Sequence, residues 1–244
     1  MKLYLIRHAQ SENNVLYAKN GSYKGRVPDP EITDIGHQQA QRLAELLADE
    51  SAESRPTLSP NRVGFGFTHL YCSLMTRSIQ TAAYIAQARG MRLTALDDVF
   101  ERGGLYKRDE DDNRVGLPGP ARAYFTTRFP ELILPKSLGE TGWYNRRFET
   151  VEMFVERMKR VVPELINRHL GTEDSVALVA HGHFIDQFLN ELMGVERHPH
   201  NYSDKWEVNW AFHNTAISRI DFVRRTQFVI YLNRIDHLSP DLIT

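Results

Sequence analysis

Two arginines and two histidines follow short apolar segments of this chain within a few residues. Arg7 and His8 follow the run KLYLI, Arg77 comes shortly after THLYC, and His181 follows VALVA. Each run has the residue types of a buried strand. Because ligands of open α/β sheets bind beyond the carboxyl ends of the strands, these four side chains are predicted to meet at one edge of a sheet.

Such a cluster predicts a reactive anion pocket. Guanidinium groups suit phosphate oxygens through paired hydrogen bonds, and helix N-termini add backbone donors. Neighbouring arginines lower the pKa of a histidine, so His8 is expected to be neutral near pH 7. A neutral imidazole in line with a phosphorus atom is a nucleophile. An isolated Arg-His pair is more often a salt-bridged arginine beside a surface histidine. A catalytic role is favoured here because several segments are predicted to converge.

The segments that position these residues alternate between strand and helix patterns. A helix is predicted from Thr33 or Asp34 because apolar side chains then recur three and four residues apart. We therefore predict a three-layer α/β/α sandwich around a mostly parallel sheet of about six strands. The expected strands are 2–7, 68–72, 92–95, 176–180, 216–221 and 228–232, with a hairpin turn at 224–226.

Two regions interrupt this alternation. Residues 50–67 are predicted to be a surface loop. Residues 103–148 contain four prolines, an acidic DEDD run and aromatic residues. We interpret them as an insertion over the sheet edge, within a single domain of residues 1–244. Its charged start is expected to be either a solvated loop or a lid.

One further segment is polar and another contains a helix breaker. The stretch from His8 to about Glu31 is polar and contains glycine. A helix is predicted over 147–168, but Pro163 lies inside it, so a kink or break is expected near Lys159.

Composition narrows the classes of function. The 244 residues include 30 basic and 31 acidic side chains, so no overall charge favours nucleic acid or an anionic membrane as partner. The single cysteine, Cys72, excludes an internal disulfide and reads as a small buried apolar residue. No run is apolar for about 18 residues and no signal peptide is evident, so we expect a cytoplasmic protein. A monomer and a homodimer both remain open.

The motifs together resemble those of the histidine phosphatase superfamily, the phosphoglycerate mutase-like proteins marked by an Arg-His-Gly motif. Ala9 departs from that pattern because glycine is usual there, although a methyl group removes no catalytic function. Several ordered motifs are far more specific than any one alone. The matching segments are Arg7-His8-Ala9, DPEITDIGHQQA (29–40), SLMTRSIQTA (73–82), FERGG (100–104), VAHGHF (179–184) and HNTAIS (213–218).

The resemblance implies a role for each matching residue. His8 would be the nucleophile that becomes phosphohistidine, while Arg7, Arg77 and His181 would bind the phosphoryl oxygens. Glu101 would be the general acid and then the general base. The substrate-binding residues implied or expected beside them are Asn14, Ser11 and Gly182. Asn14 and Ser11 have the alternative of being loop caps only.

The resemblance also implies that no cofactor and no metal is required, since arginines supply the positive charge. The pairs His181-x-His183 and His198-x-His200 have a spacing that occurs in metal sites. Neither pair is accompanied by a third ligand at the sequence spacing that such sites have. We therefore expect no metal site among them.

The motifs are compatible with three functions. The leading one is a phosphomonoester hydrolase that acts on a small phosphorylated metabolite. The second is a mutase, which would need a closed site and further basic residues to retain a doubly phosphorylated intermediate. Seven basic residues of the insertion are candidates for that task, but the longer mutase motifs are not evident. The third is an inactive phosphate-binding module. The seven basic residues of the insertion that could serve a mutase are Lys107, Arg108, Arg114, Arg122, Arg128, Arg146 and Arg147.

Overall fold

A seven-stranded sheet forms the centre of the protein in a computed structural model that describes residues 1–49, 65–195 and 208–244. The strands are β1 (Lys2–Arg7), β2 (His69–Ser73), β3 (Leu93–Leu96), β4 (Tyr106–Arg108), β5 (Arg114–Gly116), β6 (Leu132–Ile133), β7 (Ser175–Ala180), β8 (Ile217–Val223) and β9 (Thr226–Arg234). The helices are α1 (Glu12–Asn20), α2 (Asp34–Ala48), α3 (Thr76–Arg89), α4 (Arg122–Arg128), α5 (Val151–His169) and α6 (Gly182–Met193), followed by a short 3-10 helix at Pro240–Leu242.

The sheet is mostly parallel, as predicted. Its strand order is β6-β3-β2-β7-β1-β8-β9, and β4 and β5 form a separate hairpin. The pairs from β6 to β1 are parallel, whereas β8 and β9 pair antiparallel at one side. The carboxyl ends of β1, β2 and β7 therefore lie side by side at one edge.

Alternation along the strands creates two cores, one on each face of the sheet. In β1, Tyr4 and Ile6 pack with α2 and α3, while Leu3 and Leu5 pack with α5 and α6. A central strand that is covered on both faces must be apolar at every position, which is why VALVA is continuous. These two layers of helices make the predicted α/β/α sandwich.

Three local predictions need correction. Residues 65–67 are not surface loop, because Phe65 and Phe67 are buried against Tyr4; residues 50–64 lie outside the described residues. The helix predicted from residue 147 begins at Val151, where the Thr150 hydroxyl accepts a hydrogen bond from a backbone N–H. It also passes through Pro163 without a break, since the apolar side of α5 is held in the core on both sides of that residue.

The insertion contributes to the sheet and the core. Residues 106–116 form the β4–β5 hairpin, with the acidic run at its exposed turn, and β6 adds an edge strand to β3. Phe125, Trp143 and Tyr144 are buried in the same core as α2 and α3. Whether this segment acts as a lid stays a prediction.

No helix within the described ranges combines the length and the hydropathy of a membrane span.

The loop after His8 is packed tightly against the start of α2, and this packing gives a stability prediction. A Cβ on Gly36 would lie 2.2 Å from the backbone oxygen of Gln10 and 3.0 Å from Cβ of Ile32. We expect Gly36→Ala to lower the free energy of unfolding by about 2 kcal/mol or more, because backbone must move to relieve the contact. Gly139→Ala is the control, since an added Cβ there meets nothing within 4 Å. Urea unfolding of both variants measures the difference; equal stabilities would contradict this description of the loop.

Candidate active site

His8 lies just beyond β1 and is only 3% exposed. Its Nδ1 lies 2.7 Å from the carbonyl oxygen of Ala9, and Nε2 lies 3.1 Å from Nε of Arg77. A carbonyl can only accept and an arginine Nε–H can only donate, so Nδ1 carries the proton and Nε2 holds a lone pair. The backbone is fixed as well, because His8 donates its N–H to Ala180 and accepts from the Asn214 amide.

Electrostatics keeps His8 neutral, as the sequence predicts. Burial, followed by the charge of Arg77, lowers the pKa of His8 well below its ordinary value, and His181 and Arg7 add to the effect. A histidine of this kind offers its lone pair across the whole neutral range.

The two arginines provide buried donors beside this histidine. Arg7 ends β1 and donates from Nη1 to the carbonyl oxygen of Phe212. Arg77 lies in the first turn of α3. Within the described part of the chain, Nε of Arg7 and Nη1 of Arg77 are buried without a hydrogen-bond partner. Buried N–H groups need an acceptor, and the oxygens of a phosphoryl group would supply it.

His181 is brought next to His8 but is enclosed. The two ring centroids are 5.2 Å apart, and His181 has no exposed surface and does not line the cavity described below. Its Nε2 lies 2.7 Å from Oγ of Ser73, while Nδ1 is buried without a partner in the described residues. Burial and the charge of Arg77 lower the pKa of His181 well below its ordinary value.

Gly182 opens α6 against the arginine cluster. A Cβ at this position would lie 3.5 Å from Nε of Arg7, so the backbone at the start of the helix packs directly on the guanidinium group. Backbone N–H groups at such a helix start favour anions.

Glu101 lines the same pocket and lies on the loop after β3. Its Oε1 accepts from the backbone N–H of Arg102 at 2.7 Å, and Oε2 accepts from that of His183 at 3.2 Å. Burial alone raises the pKa of Glu101, but the interactions with His183, His181 and Arg77 outweigh it, and the pKa lies well below the ordinary value. The free site therefore holds an ionised carboxylate.

Asn14 and Ser11 lie at the start of α1 and border the pocket. Oδ1 of Asn14 accepts from both the backbone N–H and the hydroxyl of Ser11, each at 3.0 Å, and from Asn214 at 3.3 Å. The predicted capping role is therefore present. Only the Asn14 amide nitrogen remains for a substrate contact, which stays a prediction.

A cavity of about 740 Å³ extends outward from this cluster. His8, Arg7, Arg77 and Glu101 form its inner part. Its outer part is lined by Tyr23, Arg26, Tyr106, Arg114 and Phe148, among others. The Arg26 guanidinium stacks 4.0 Å above the ring of Tyr106, and that of Arg114 lies 4.9 Å from the ring of Phe148.

Two supporting residues were missed by sequence reasoning. Asp29 accepts from the backbone N–H and hydroxyl of Thr76 at the start of α3, and it lies 3.9 Å from Nη1 of Arg77. It thereby orients the helix that carries Arg77. Asn214 ties the loop before β8 to His8 and Asn14. Both lie inside motifs quoted above, so their position in DPEIT and HNTAIS was the available signal.

The structure describes only one of the two His-x-His pairs that the sequence suggested as metal ligands. His183 lies at the pocket, with Nδ1 3.5 Å from Oε2 of Glu101, while His198 and His200 lie outside the described residues. At the opposite edge of the sheet, His69, His169 and Asp174 form a compact group. There His169 hydrogen-bonds Asp174 through Nδ1 and the Tyr71 hydroxyl through Nε2.

The fold and this cluster define a class of protein: an α/β sandwich whose sheet has, at its carboxyl edge, a pocket lined by arginines and a neutral histidine. The chain belongs to the histidine phosphatase superfamily, whose branch 1 model matches residues 3–235. The resemblance seen in the motifs is thereby confirmed.

Individual relatives carry different activities in their names. A Hydrogenobacter thermophilus protein provisionally named phosphoserine phosphatase 2 is 23% identical, over 97% of each chain. A 2,3-bisphosphoglycerate-dependent phosphoglycerate mutase of Staphylococcus epidermidis is 27% identical, over 80% of this chain and 85% of its own. The crystal structure of an alpha-ribazole phosphatase from Shigella flexneri aligns with a TM-score of 0.59 at 18% identity, covering 96% of both chains, which shows the shared fold.

Proposed function

We propose that this protein is a phosphomonoester hydrolase that works through a phosphohistidine on a small phosphorylated metabolite. One observation carries the proposal: His8 is locked in the tautomer whose Nε2 lone pair faces Arg77, beside buried guanidinium donors that lack acceptors. Family membership and the phosphatase names among its relatives support it.

The first half-reaction uses each inner residue. Nε2 of His8 attacks phosphorus, so Arg77 must exchange its hydrogen bond to Nε2 for one to a phosphoryl oxygen. Arg7 and Arg77 hold the charge that develops on those oxygens, with the start of α6 as a further donor. The contact from His181 that the resemblance implies would need a movement of the groups that enclose its ring. The ester bond breaks as Glu101 gives a proton to the leaving oxygen.

The second half-reaction reverses these roles. A water molecule gives a proton to Glu101 and attacks the phosphorus atom. The P–N bond then breaks, His8 regains its lone pair, and inorganic phosphate leaves.

Glu101 must gain a proton before it acts as the acid. The free site holds it ionised, but a phosphate dianion bound at His8 places negative charge beside the carboxylate, and a like charge raises a carboxyl pKa. Substrate binding therefore prepares the acid.

The positions of the insertion's basic residues favour the hydrolase over the mutase, although Arg26 and Arg102 from other segments also line the cavity. Of the seven candidates in the insertion, Arg114 alone lines the cavity. Arg108 pairs with Asp112, and the others that form ion pairs do so elsewhere: Arg128 with Glu31 and Arg146 with Asp98. The Glu101 side chain is 20% exposed, so water can reach the base that hydrolysis requires.

We also infer a cytoplasmic location, with a small phosphorylated molecule as the substrate and no nucleic acid or membrane as partner. The nearly balanced charge and the single, buried Cys72 support this inference. It leaves monomer and homodimer equally open.

A substrate panel tests the function. The protein is incubated with phosphorylated sugars, sugar acids and amino acids while inorganic phosphate and positional isomers are both measured. Release of phosphate without isomers is the expected result. Isomer formation would show a mutase, and phosphate affinity without turnover would show a binding module.

The depressed pKa of His8 predicts an unusual pH profile. A histidine with an ordinary pKa near 6.5 would be mostly protonated, and inactive as a nucleophile, at pH 5.5. Because burial and arginine charge lower the pKa of His8 well below that value, His8 stays neutral and kcat/KM for p-nitrophenyl phosphate should not fall between pH 6.5 and 5.5. A fall with a midpoint near pH 6.5 on the acid side would contradict the assigned environment of His8.

A further inference from the structure

His183 has no role in the reaction described above, yet it lies at the site. It is the second residue of α6, it lines the cavity, and its side chain is 45% exposed. The sequence singled it out only as half of a metal-type pair.

The contacts place its ring against the carboxylate of Glu101. Oε2 accepts the backbone N–H of His183 at 3.2 Å, and Nδ1 of the same residue lies 3.5 Å from that oxygen. Oε1 is held by the backbone of Arg102. The carboxylate is thus anchored by two backbone donors that survive side-chain changes, and the imidazole is an additional, separable neighbour.

The other groups around Glu101 are poor proton donors. Arginines keep their protons, and His181 is fully buried away from solvent. Tyr23 ordinarily titrates far above neutral pH, and burial raises its pKa further. Among the described groups around Glu101, His183 is the one imidazole whose side chain reaches solvent. The groups that interact electrostatically with Glu101 are His183 and His181 from the start of α6, Arg77 from α3, Arg7 from β1 and Tyr23 from the loop after α1.

We propose that His183 is the proton partner of Glu101, a positioning residue that loads the acid and later unloads the base; this inference rests on the proposed hydrolase function. A proton passes from Nδ1 of the imidazolium to Oε2 of Glu101, and the carboxyl group gives a proton to the ester oxygen as its bond to phosphorus breaks. When water attacks the phosphohistidine, its proton goes to Glu101 and one returns to His183, while the P–N bond breaks.

The test compares His183→Gln with the parent enzyme on two substrates across pH 5 to 9. An alkyl phosphate needs its leaving oxygen protonated, whereas p-nitrophenyl phosphate does not. We expect kcat/KM for the alkyl ester at pH 7.5 to fall by about tenfold to a hundredfold, with the alkaline limb of the profile displaced to lower pH. The values for p-nitrophenyl phosphate should stay within about threefold. His69→Gln is the control, because His69 is a partly exposed histidine at the opposite edge of the sheet.

Two further measurements separate proton transfer from a structural role. In a Glu101→Gln background, His183→Gln should not lower kcat/KM for the alkyl phosphate any further, since both changes remove the same step. Added imidazole should restore alkyl phosphate turnover to His183→Gly. Equal losses on both substrates, full activity on both, or failure of imidazole to rescue would each overturn the role of His183, and the parent's hydrolase activity would stand regardless.

Discussion

Replacing His8 with alanine is expected to lower kcat for p-nitrophenyl phosphate by at least about 10³-fold, since removing a covalent nucleophile leaves only the binding groups. The side chain is buried, and alanine leaves the Ala180 and Asn214 contacts to its backbone intact. The loss should therefore arise from chemistry and not from unfolding, which circular dichroism checks. Activity within about tenfold of the parent would contradict the assignment.

A trapped intermediate makes the same prediction more specific. Parent enzyme quenched during turnover of a labelled phosphomonoester should carry label that is stable to alkali and lost in acid, as a phosphoramidate is, and His8→Ala should carry none. His37→Ala is the matched control, because His37 lies on α2 and contacts the Tyr84 hydroxyl away from the cavity. Label retained on His8→Ala would assign the nucleophile to another residue.

The sheet and the main helices were predictable because their patterns are physically simple. A strand that is covered on both faces must be apolar throughout, as in β7, and a helix on a sheet needs one apolar side, as in α2 and α5. The glycines that end α3 and α6, Gly90 and Gly194, adopt the left-handed backbone conformation that is common at helix ends.

Other elements carry no such pattern. In α1, Asn13 is the sole buried residue, and its amide pairs with the backbone of Val27, so the helix is fixed by polar contacts without an apolar stripe. β6 has two residues and exists through its pairing with β3. Neither feature is visible in hydropathy, because tertiary hydrogen bonds create both.

The inner site was predictable for a different reason. Strand ends fix where Arg7, His8, Arg77 and His181 must meet, whatever the loops do. Arg26 was not predictable, because its place at the cavity depends on a loop that Asn13 clamps and on stacking against a hairpin far along the chain. Residues on loops and on the β4–β5 hairpin thus define the outer cavity, where substrate selection is expected.

Replacing Glu101 with glutamine should produce a loss that depends on the leaving group. Glutamine keeps one oxygen, which can accept from the backbone N–H of Arg102 or of His183, while its NH2 group faces the other N–H; a thermal unfolding comparison with the parent therefore checks that the variant stays folded. It cannot deliver a proton. We expect kcat/KM for an alkyl phosphate to fall by about 10²- to 10⁴-fold, and that for p-nitrophenyl phosphate to fall by less than about tenfold, because p-nitrophenolate leaves without protonation.

The control for this variant is Glu131→Gln, an exposed glutamate beside β6. A series of phenyl phosphates with leaving groups of increasing pKa gives the sharper measurement. The slope of log kcat/KM against leaving-group pKa should be shallow in the parent and steep in Glu101→Gln, since the acid cancels charge on the departing oxygen only when it is present. Parallel slopes would remove Glu101 as the acid while leaving His8 as the nucleophile, because the nucleophile's contribution is common to every ester in the series.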